Sequence, residues 1–134
     1  PTTEAGFPQA IRSGMIPVDT SVWIDHLRVG DERLVELLNS SQVLAHPFVI
    51  GELACGNLRK RTDVLKLLND LPQAPVASHE EALHIIESNK LMGRGIGYID
   101  AHLLASVALA NTVFIWTRDK PLQKIARKLK LAFD

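Results

Sequence analysis

Short apolar runs alternate with longer amphipathic segments along most of the chain, and this alternation predicts strands separated by helices. Strands in this order are joined by right-handed crossovers, so the pattern predicts a three-layer α/β/α domain with a central, mainly parallel sheet of four to five strands. The predicted strands are 16–19, 42–46, 75–77, 113–117 and 131–133. The predicted helices are 21–27, 31–38, 47–58, 62–69, 78–86, 98–110 and 119–129.

Several predicted helices begin at residues that cap helices well. Asp31 and Asp119 each precede an apolar stripe at helical spacing, as N-cap residues do. Ser78 and Glu81 have the spacing of a capping box. Pro47 fits the first turn of a helix, where its missing N–H costs nothing. These signals predict where four of the helices begin.

The length of the chain fits one domain. Its first residues differ from the rest in the pattern of apolar positions. Residues 1–14 lack apolar periodicity and carry scattered Pro, Gly, Thr and Ser, whereas Met15 opens the first apolar run. We expect residues 1–14 to be an added leader or a disordered arm, and residues 15–134 to form the domain. A core of this size needs no disulfide, and the single cysteine, Cys55, fits a reducing cytoplasm.

Composition excludes several classes of protein. Hydrophobic residues make up 46% and charged residues 22%, which excludes a disordered or collagen-like chain. Fifteen basic residues balance fifteen acidic ones, so a nucleic acid would have to be bound by a local patch. No apolar run approaches the roughly 20 residues that span a bilayer. We expect a cytoplasmic protein without a membrane partner.

Three aspartates fall where ligands bind in parallel sheets, outside the carboxyl ends of the strands. Asp19 ends the first strand, Asp119 follows the strand 113–117, and Asp100 lies in the first turn of the helix after a glycine-rich loop. Glu52 lies in a helix that is apolar nearly all round, with no lysine or arginine three or four residues away. A buried carboxylate is costly unless it is paired or bound to a metal, so Glu52 joins the set.

Each of these acids also has an ordinary structural explanation. Asp19 and Asp119 could cap helices, Asp100 could favour the positive end of its helix, and Glu52 could pair with a distant arginine. Capping does not explain why four acids should meet at one sheet edge. Carboxylates that repel one another favour a hard cation, and oxygen ligands suit Mg²⁺ or Mn²⁺.

The acids and their flanking residues resemble those of a PIN domain, and most closely a VapC-type toxin of the bacterial toxin–antitoxin systems. The resemblance covers residues 15–134, and the leader is its one departure. The resemblance implies a Mg²⁺- or Mn²⁺-dependent endoribonuclease that cleaves phosphodiester bonds in tRNA or rRNA, with Asp19, Glu52, Asp100 and Asp119 as catalytic metal ligands. The motifs that carry it are VDTSVWID (18–25), GEL (51–53), YIDA (98–101) and TRD (117–119) followed by KPL.

Neighbouring polar residues are candidates for supporting roles. Thr20, Ser21 and Thr117 are placed to hydrogen-bond the carboxylates or the phosphate. Arg94, Arg118 and Lys120 are candidate contacts for RNA phosphates, because they lie beside the acids in sequence. Among the acids, we expect Asp19, Asp100 and Asp119 to be the principal ligands, with Glu52 binding through water or orienting the attacking water.

The resemblance also implies partners. A VapC-like toxin is held by a small cognate antitoxin of the VapB type, which would place a helix in an apolar groove between the helices around 21–38 and 48–68 and extend an arginine into the acids. A homodimer is expected too, because the helices 31–38 and 62–69 have apolar residues on more than one face.

Three other functions are compatible with parts of this sequence. A PIN-like nuclease could act on another nucleic acid. A Rossmann-like phosphatase or phosphotransferase would use Asp19 as nucleophile, but such an enzyme of the haloacid-dehalogenase type would have an aspartate where this chain has Ser21. A non-catalytic adaptor with this fold would be expected to have lost one of the acids, and all four are present.

Overall fold

The computed structural model describes residues 14–110 and 113–134, so the expected leader lies outside the described residues except for Gly14. Those residues form seven helices and two short strands. In chain order they are β1 (Ile16–Pro17), α1 (Thr20–Val29), α2 (Glu32–Asn39), β2 (Val43–Leu44), α3 (Pro47–Ala54), α4 (Arg61–Asp70), α5 (His79–Asn89), α6 (Tyr98–Ala110) and α7 (Lys120–Lys128).

The sheet is parallel, and it includes more segments of the chain than the two strands β1 and β2. β1 and β2 pair in parallel, and three isolated parallel bridges extend the pairing on both sides. Five segments therefore lie side by side in the order 73, 43–45, 16–18, 115–116 and 132, which confirms the predicted α/β class with a mainly parallel sheet. The bridges join Val18 to Trp116, Ala45 to Gln73, and Ile115 to Ala132.

Most predicted bounds differ from the structure by one to three residues, and one predicted strand and one predicted helix need a fuller correction. The third strand was predicted at 75–77, but its pairing lies earlier, where Ala74 N–H donates to the Ala45 carbonyl at 2.7 Å. Pro75 has no N–H with which to continue that ladder. The helix predicted over 47–58 ends at Ala54, and the chain turns at Gly56, whose N–H donates to the Leu53 carbonyl at 3.1 Å.

The predicted caps are present. Ser78 Oγ accepts the Glu81 N–H at 3.0 Å and Glu81 Oε1 accepts the Ser78 N–H at 2.8 Å, which completes the capping box. Asp31 caps α2 by accepting the Leu34 N–H at 2.9 Å. Short polar side chains thus set the starts of these helices, as the sequence indicates.

The core surrounds α6, which is buried along most of its length. Residues 101–107 of this helix are all buried, and α6 packs against α5. On other elements, α1 packs against α3 and α3 against α4. Asp100 therefore projects from the first turn of a helix that the core holds on nearly every side. Within the described residues, no helix has the length and hydrophobicity needed to cross a membrane.

Two buried histidines connect α3 and α6. His46 caps α3, is 1% exposed, and accepts the Phe48 N–H on Nδ1 at 3.0 Å. The Phe48 ring lies between the imidazoles of His46 and His102, at centroid distances of 5.2 and 4.8 Å. Burial, followed by repulsion from His102, lowers the pKa of His46 to about 4. The neutral imidazole is therefore part of the packing between the helices that carry Glu52 and Asp100.

This burial predicts a loss of stability in mild acid. The unfolded chain binds a proton on His46 near the ordinary value of 6.5, whereas the folded chain does so only near 4. The neutral His46 therefore costs the fold nothing above pH 6.5. As the pH falls toward 4, the unfolded chain takes up a proton that the folded chain does not, and the free energy of unfolding falls by about 2 kcal/mol between pH 7.5 and 5. Urea unfolding at both pH values measures it. The loss should shrink in His46→Asn and persist in His84→Asn, the matched control at an exposed position; equal losses in all three proteins would contradict the assignment.

Candidate active site

Asp19 lies at the carboxyl end of β1 with one of its oxygens firmly held. Its backbone N–H donates to the Trp116 carbonyl at 2.9 Å, and the residue is 5% exposed. Asp19 Oδ2 accepts Ser21 Oγ at 2.7 Å, Thr117 Oγ1 at 2.8 Å and, more weakly, the Ser21 N–H at 3.4 Å. These donors fix the plane of the carboxylate while it also caps α1.

Thr117 connects Asp19 to Asp119. Its hydroxyl donates to Asp19 Oδ2 and accepts the Asp119 N–H at 3.0 Å, and the residue is 3% exposed. Asp119 in turn caps α7, where Asp119 Oδ2 accepts the Leu122 N–H at 3.1 Å. One buried hydroxyl therefore sets the relative position of two of the four predicted acids.

Glu52 joins the site from α3, but the expectation that it is buried is wrong. Val49 and Leu53 form the buried face of this short helix, whereas Glu52 lies on its exposed side. Glu52 Oε1 accepts Thr20 Oγ1 at 2.6 Å, which connects α3 to the start of α1. Because Glu52 is exposed, it does not bear the cost of burying a charge from which the sequence argument inferred a metal ligand. Its hydrogen bond with Thr20 is the observation that places Glu52 near the other acids.

Asp100 shows that the four acids share one electrostatic environment. Burial raises the pKa of Asp100 above its ordinary value, while the Gly97 N–H, which donates to Asp100 Oδ2 at 3.1 Å, opposes the rise. The negative charges of Asp19, Asp119 and Glu52 then raise this pKa further. Each of the three other carboxylates is thus near enough to Asp100 to disfavour its charge.

A close contact joins the loop before Asp100 to the first turn of the helix after Asp119. Gly95 has a φ of +85°, and a Cβ at this position would lie 3.2 Å from Pro121 Cβ. The glycine permits the loop before α6 to approach the first turn of α7 more closely than a side chain would allow. The loop that precedes Asp100 therefore packs against the helical turn that follows Asp119.

The donor set fits a hard divalent cation. All four side chains offer carboxylate oxygens, which Mg²⁺ and Mn²⁺ prefer, and their mutual repulsion is relieved when a cation is bound. As the side chains stand, no three Asp, Glu, His or Cys residues of the described chain converge closely enough to ligate a single ion. Hydrogen-bond donors of the protein hold one oxygen of each acid instead, at Asp19, Glu52, Asp100 and Asp119.

Comparison with known proteins identifies the family. The family model of the PIN domain matches residues 16–128. The chain belongs to the PIN-domain family. It is 53% identical over 109 residues to Ribonuclease VapC32 of Mycobacterium tuberculosis, in both the CDC 1551 and the H37Rv strains, and the match covers 81% of this chain and 88% of the relative. Within the family this PIN domain is therefore of the VapC ribonuclease type, as the motifs indicate.

A solved structure supports the fold of this PIN domain. The crystal structure of PAE2754 from Pyrobaculum aerophilum superposes with a TM-score of 0.55, over 97% of this chain and 99% of that one. The two sequences are 16% identical, so the comparison bears on the fold alone. The helix-rich α/β architecture with a parallel sheet is that of a PIN domain.

The basic candidates of this PIN domain lie in different surroundings. Arg94 lies in the loop before α6 and is partly exposed, and Lys120 is the exposed first residue of α7. Arg118 instead forms ion pairs with Asp25 and Asp31. Sequence reasoning did not identify these two aspartates as its partners. Asp25 ends the VDTSVWID motif, which was the only available signal.

Proposed function

We propose that this PIN domain is a cytoplasmic, Mg²⁺- or Mn²⁺-dependent endoribonuclease that acts as the toxin of a toxin–antitoxin pair. The observation that carries the proposal is the meeting of Asp19, Asp119 and Glu52 around Asp100, whose pKa is raised first by burial and then by these three charges. Four carboxylates within electrostatic reach of one another are costly for a fold, and a divalent cation offsets that cost. The relatives named ribonucleases support RNA as the substrate.

The protein's own residues have distinct tasks in this proposal. A bound divalent ion supplies an activated water and stabilises charge on the phosphoryl oxygens. Asp19, Asp100 and Asp119 would hold it, and Asp19 suits this role because donors already fix its Oδ2. Glu52, exposed and held by Thr20, would orient the attacking water or bind through one. Arg94 and Lys120 would contact RNA phosphates beside the acids.

Cleavage of total RNA by the purified protein tests this proposal. We expect new RNA ends in Mg²⁺ or Mn²⁺, none in EDTA, and none with Asp19→Ala in any buffer. Asp63→Ala is the matched control, since Asp63 is an exposed aspartate on α4. Cleavage that survives EDTA, or that Asp19→Ala retains, would contradict metal-dependent catalysis by these acids. Sequencing the ends identifies which RNA is cut.

The antitoxin would bind in a cleft that reaches Glu52. A cleft of about 600 Å³ lies between α1, the end of α3 and the loop 56–59, within the helices predicted to form its walls. Its apolar lining suits the apolar face of a helix, and Arg28 and Arg59 at its side suit acidic residues flanking that face. Because Glu52 also lines the cleft, an antitoxin arginine could reach the acids and compete with the cation for the same oxygens.

Paired charge substitutions test the cleft. Ile24 lines the cleft at 44% exposure, and Leu83 on α5 is 43% exposed and outside it. We expect Ile24→Glu to weaken antitoxin binding at least tenfold without changing RNA cleavage, and Leu83→Glu to change neither. Inhibition should also weaken when the antitoxin arginine becomes alanine, and Mg²⁺ should oppose the contact that remains. Equal antitoxin affinity of the two toxin variants would place the antitoxin elsewhere.

A homodimer is part of the same proposal. Val35 on α2 and Leu67 on α4 are 41% and 45% exposed, so both helices offer apolar surface that the core does not use. Light scattering at micromolar concentration should give twice the chain mass of 14.8 kDa. The mass of a single chain would contradict this part of the proposal and leave the proposed reaction untouched.

A further inference from the structure

We propose that Arg118 is a positioning residue for the catalytic acids, and that it acts through a clamp formed with Asp25 and Asp31 rather than by binding RNA. The proposal rests on the proposed function in so far as it concerns catalysis, and it replaces the sequence-based expectation that Arg118 contacts an RNA phosphate. The clamp consists of Arg118, Asp25 and Asp31.

The side chain of Arg118 is held from three directions. Nη1 donates to Asp25 Oδ2 at 2.8 Å, and Nη2 donates to Asp31 Oδ2. The guanidinium also lies over the Trp116 ring, 5.3 Å from its centroid. A planar guanidinium with two carboxylate partners and an aromatic neighbour has a defined position, which an ammonium group would not reproduce. The arginine thereby joins the loop after the strand segment 115–116 to the second half of α1 and to the start of α2.

The charges of the clamp leave little attraction for a phosphate. One guanidinium faces two carboxylates, so the group carries no net positive charge. The hydrogen bond from Arg118 holds the pKa of Asp31 below its ordinary value, so this carboxylate stays ionised at neutral pH. A phosphate approaching Arg118 would have to displace a carboxylate or lie beside one, and both are unfavourable.

The backbone of the same residue reaches the catalytic acids. The Arg118 N–H donates to Ser21 Oγ at 2.9 Å, and Ser21 Oγ donates to Asp19 Oδ2 at 2.7 Å. On either side of Arg118 in sequence, Thr117 donates to Asp19 and Asp119 caps α7. A shift of Arg118 therefore moves donors to Asp19 and the backbone of Asp119 together. Displacements of about 1 Å at a catalytic group lower rates by up to roughly a hundredfold.

Asp31→Asn separates positioning from phosphate binding, because it weakens the clamp and leaves the Arg118 charge in place. Asparagine caps helices about as well as aspartate, so α2 keeps its start. We expect Asp31→Asn and Arg118→Gln each to lower kcat for an RNA oligonucleotide that the wild type cleaves by roughly 10- to 100-fold, with KM within about twofold. Their effects should not multiply in the double variant, because each disrupts the same clamp. Arg94→Gln, the matched control at a proposed phosphate contact, should raise KM and leave kcat unchanged.

Two measurements need no RNA cleavage. Exchange of the Arg118 and Asp119 amide hydrogens should accelerate at least tenfold in Asp31→Asn, and Mn²⁺ binding followed by calorimetry should weaken. If the wild type cleaves no RNA, the proposed function fails, and these two readouts still test the clamp. A wild-type kcat in Asp31→Asn together with a raised KM in Arg118→Gln would show that Arg118 is a phosphate contact. Unchanged amide exchange and unchanged Mn²⁺ affinity in Asp31→Asn would also overturn the proposal.

Discussion

Replacing Asp100 by asparagine should abolish RNA cleavage and leave the metal-free protein at least as stable as the wild type. In the proposed reaction Asp100 would hold a divalent ion that provides several kcal/mol of transition-state stabilisation, so we expect the rate to fall by roughly a thousandfold or more. Stability should not fall with it, because the folded protein disfavours the charge at this position. Asparagine removes that charge and keeps an oxygen to accept the Gly97 N–H.

The sign of the stability effect follows from the raised pKa of Asp100. A carboxyl group whose pKa is higher in the folded state opposes folding when it is ionised, and this effect is largest at neutral pH and disappears as the pH falls below the ordinary value of 3.8. The melting temperatures of wild type and Asp100→Asn in EDTA at pH 7 measure it. Asp70→Asn is the control, since Asp70 pairs with Lys66 on the exposed face of α4 and its loss should lower stability slightly or not at all. A fall of several degrees in Asp100→Asn would show that Asp100 supports the fold.

Thr117→Val should lower both activity and stability, because it removes one hydroxyl without changing the shape of the side chain. Asp19 would lose a donor, and the Asp119 N–H would lose its acceptor in a partly buried position. An unpaired buried polar group costs about 1–3 kcal/mol. Loss of a residue that orients metal ligands costs roughly 10- to 100-fold in metal affinity or activity.

Urea unfolding and a Mn²⁺ titration of the cleavage rate measure the two effects of Thr117→Val separately. Thr117→Ser keeps the hydroxyl and should recover most of the activity. Thr62→Val on the exposed surface of α4 controls for the substitution itself. Wild-type metal affinity in Thr117→Val, with only the stability lowered, would mean that the hydroxyl supports the loop and not the carboxylates.

The acids were predictable because their signals are local. Asp19 and Asp119 follow paired strand segments and cap helices, and Asp100 lies in the first turn of a long apolar helix, so chain position predicts that they lie at one edge of a parallel sheet. The contacts of Thr20, Ser21 and Thr117 with these acids follow from the same proximity. The capping box at Ser78 and the bounds of α6 could also be predicted, because both depend on residues within one or two turns of each other.

The features that could not be predicted from the sequence depend on contacts between residues that are far apart in the chain. Arg118 lies 93 residues from Asp25 and 87 from Asp31, and no periodicity reveals that they meet. The burial of Glu52 was misjudged because apolar composition suggests an enclosed helix, whereas α3 is short and buries only one face. His46 gave no local sign of burial, because its partner Phe48 and the neighbouring His102 belong to a packing arrangement between two helices.

The contact between Gly95 and Pro121 gives this protein one property of a partly preorganised host in host–guest chemistry. The framework of such a host keeps the ligands near one another, so the guest has to draw them together over only a short distance. Here the framework is van der Waals contact between the loop before α6 and the first turn of α7, which neither salt nor pH weakens. Shape as well as charge therefore limits how closely the chain segments at Asp100 and Asp119 approach each other. Ions that differ in radius but not in charge should therefore be distinguished by this framework, and a bulkier residue at position 95 should change which ion is preferred before it changes whether one is bound.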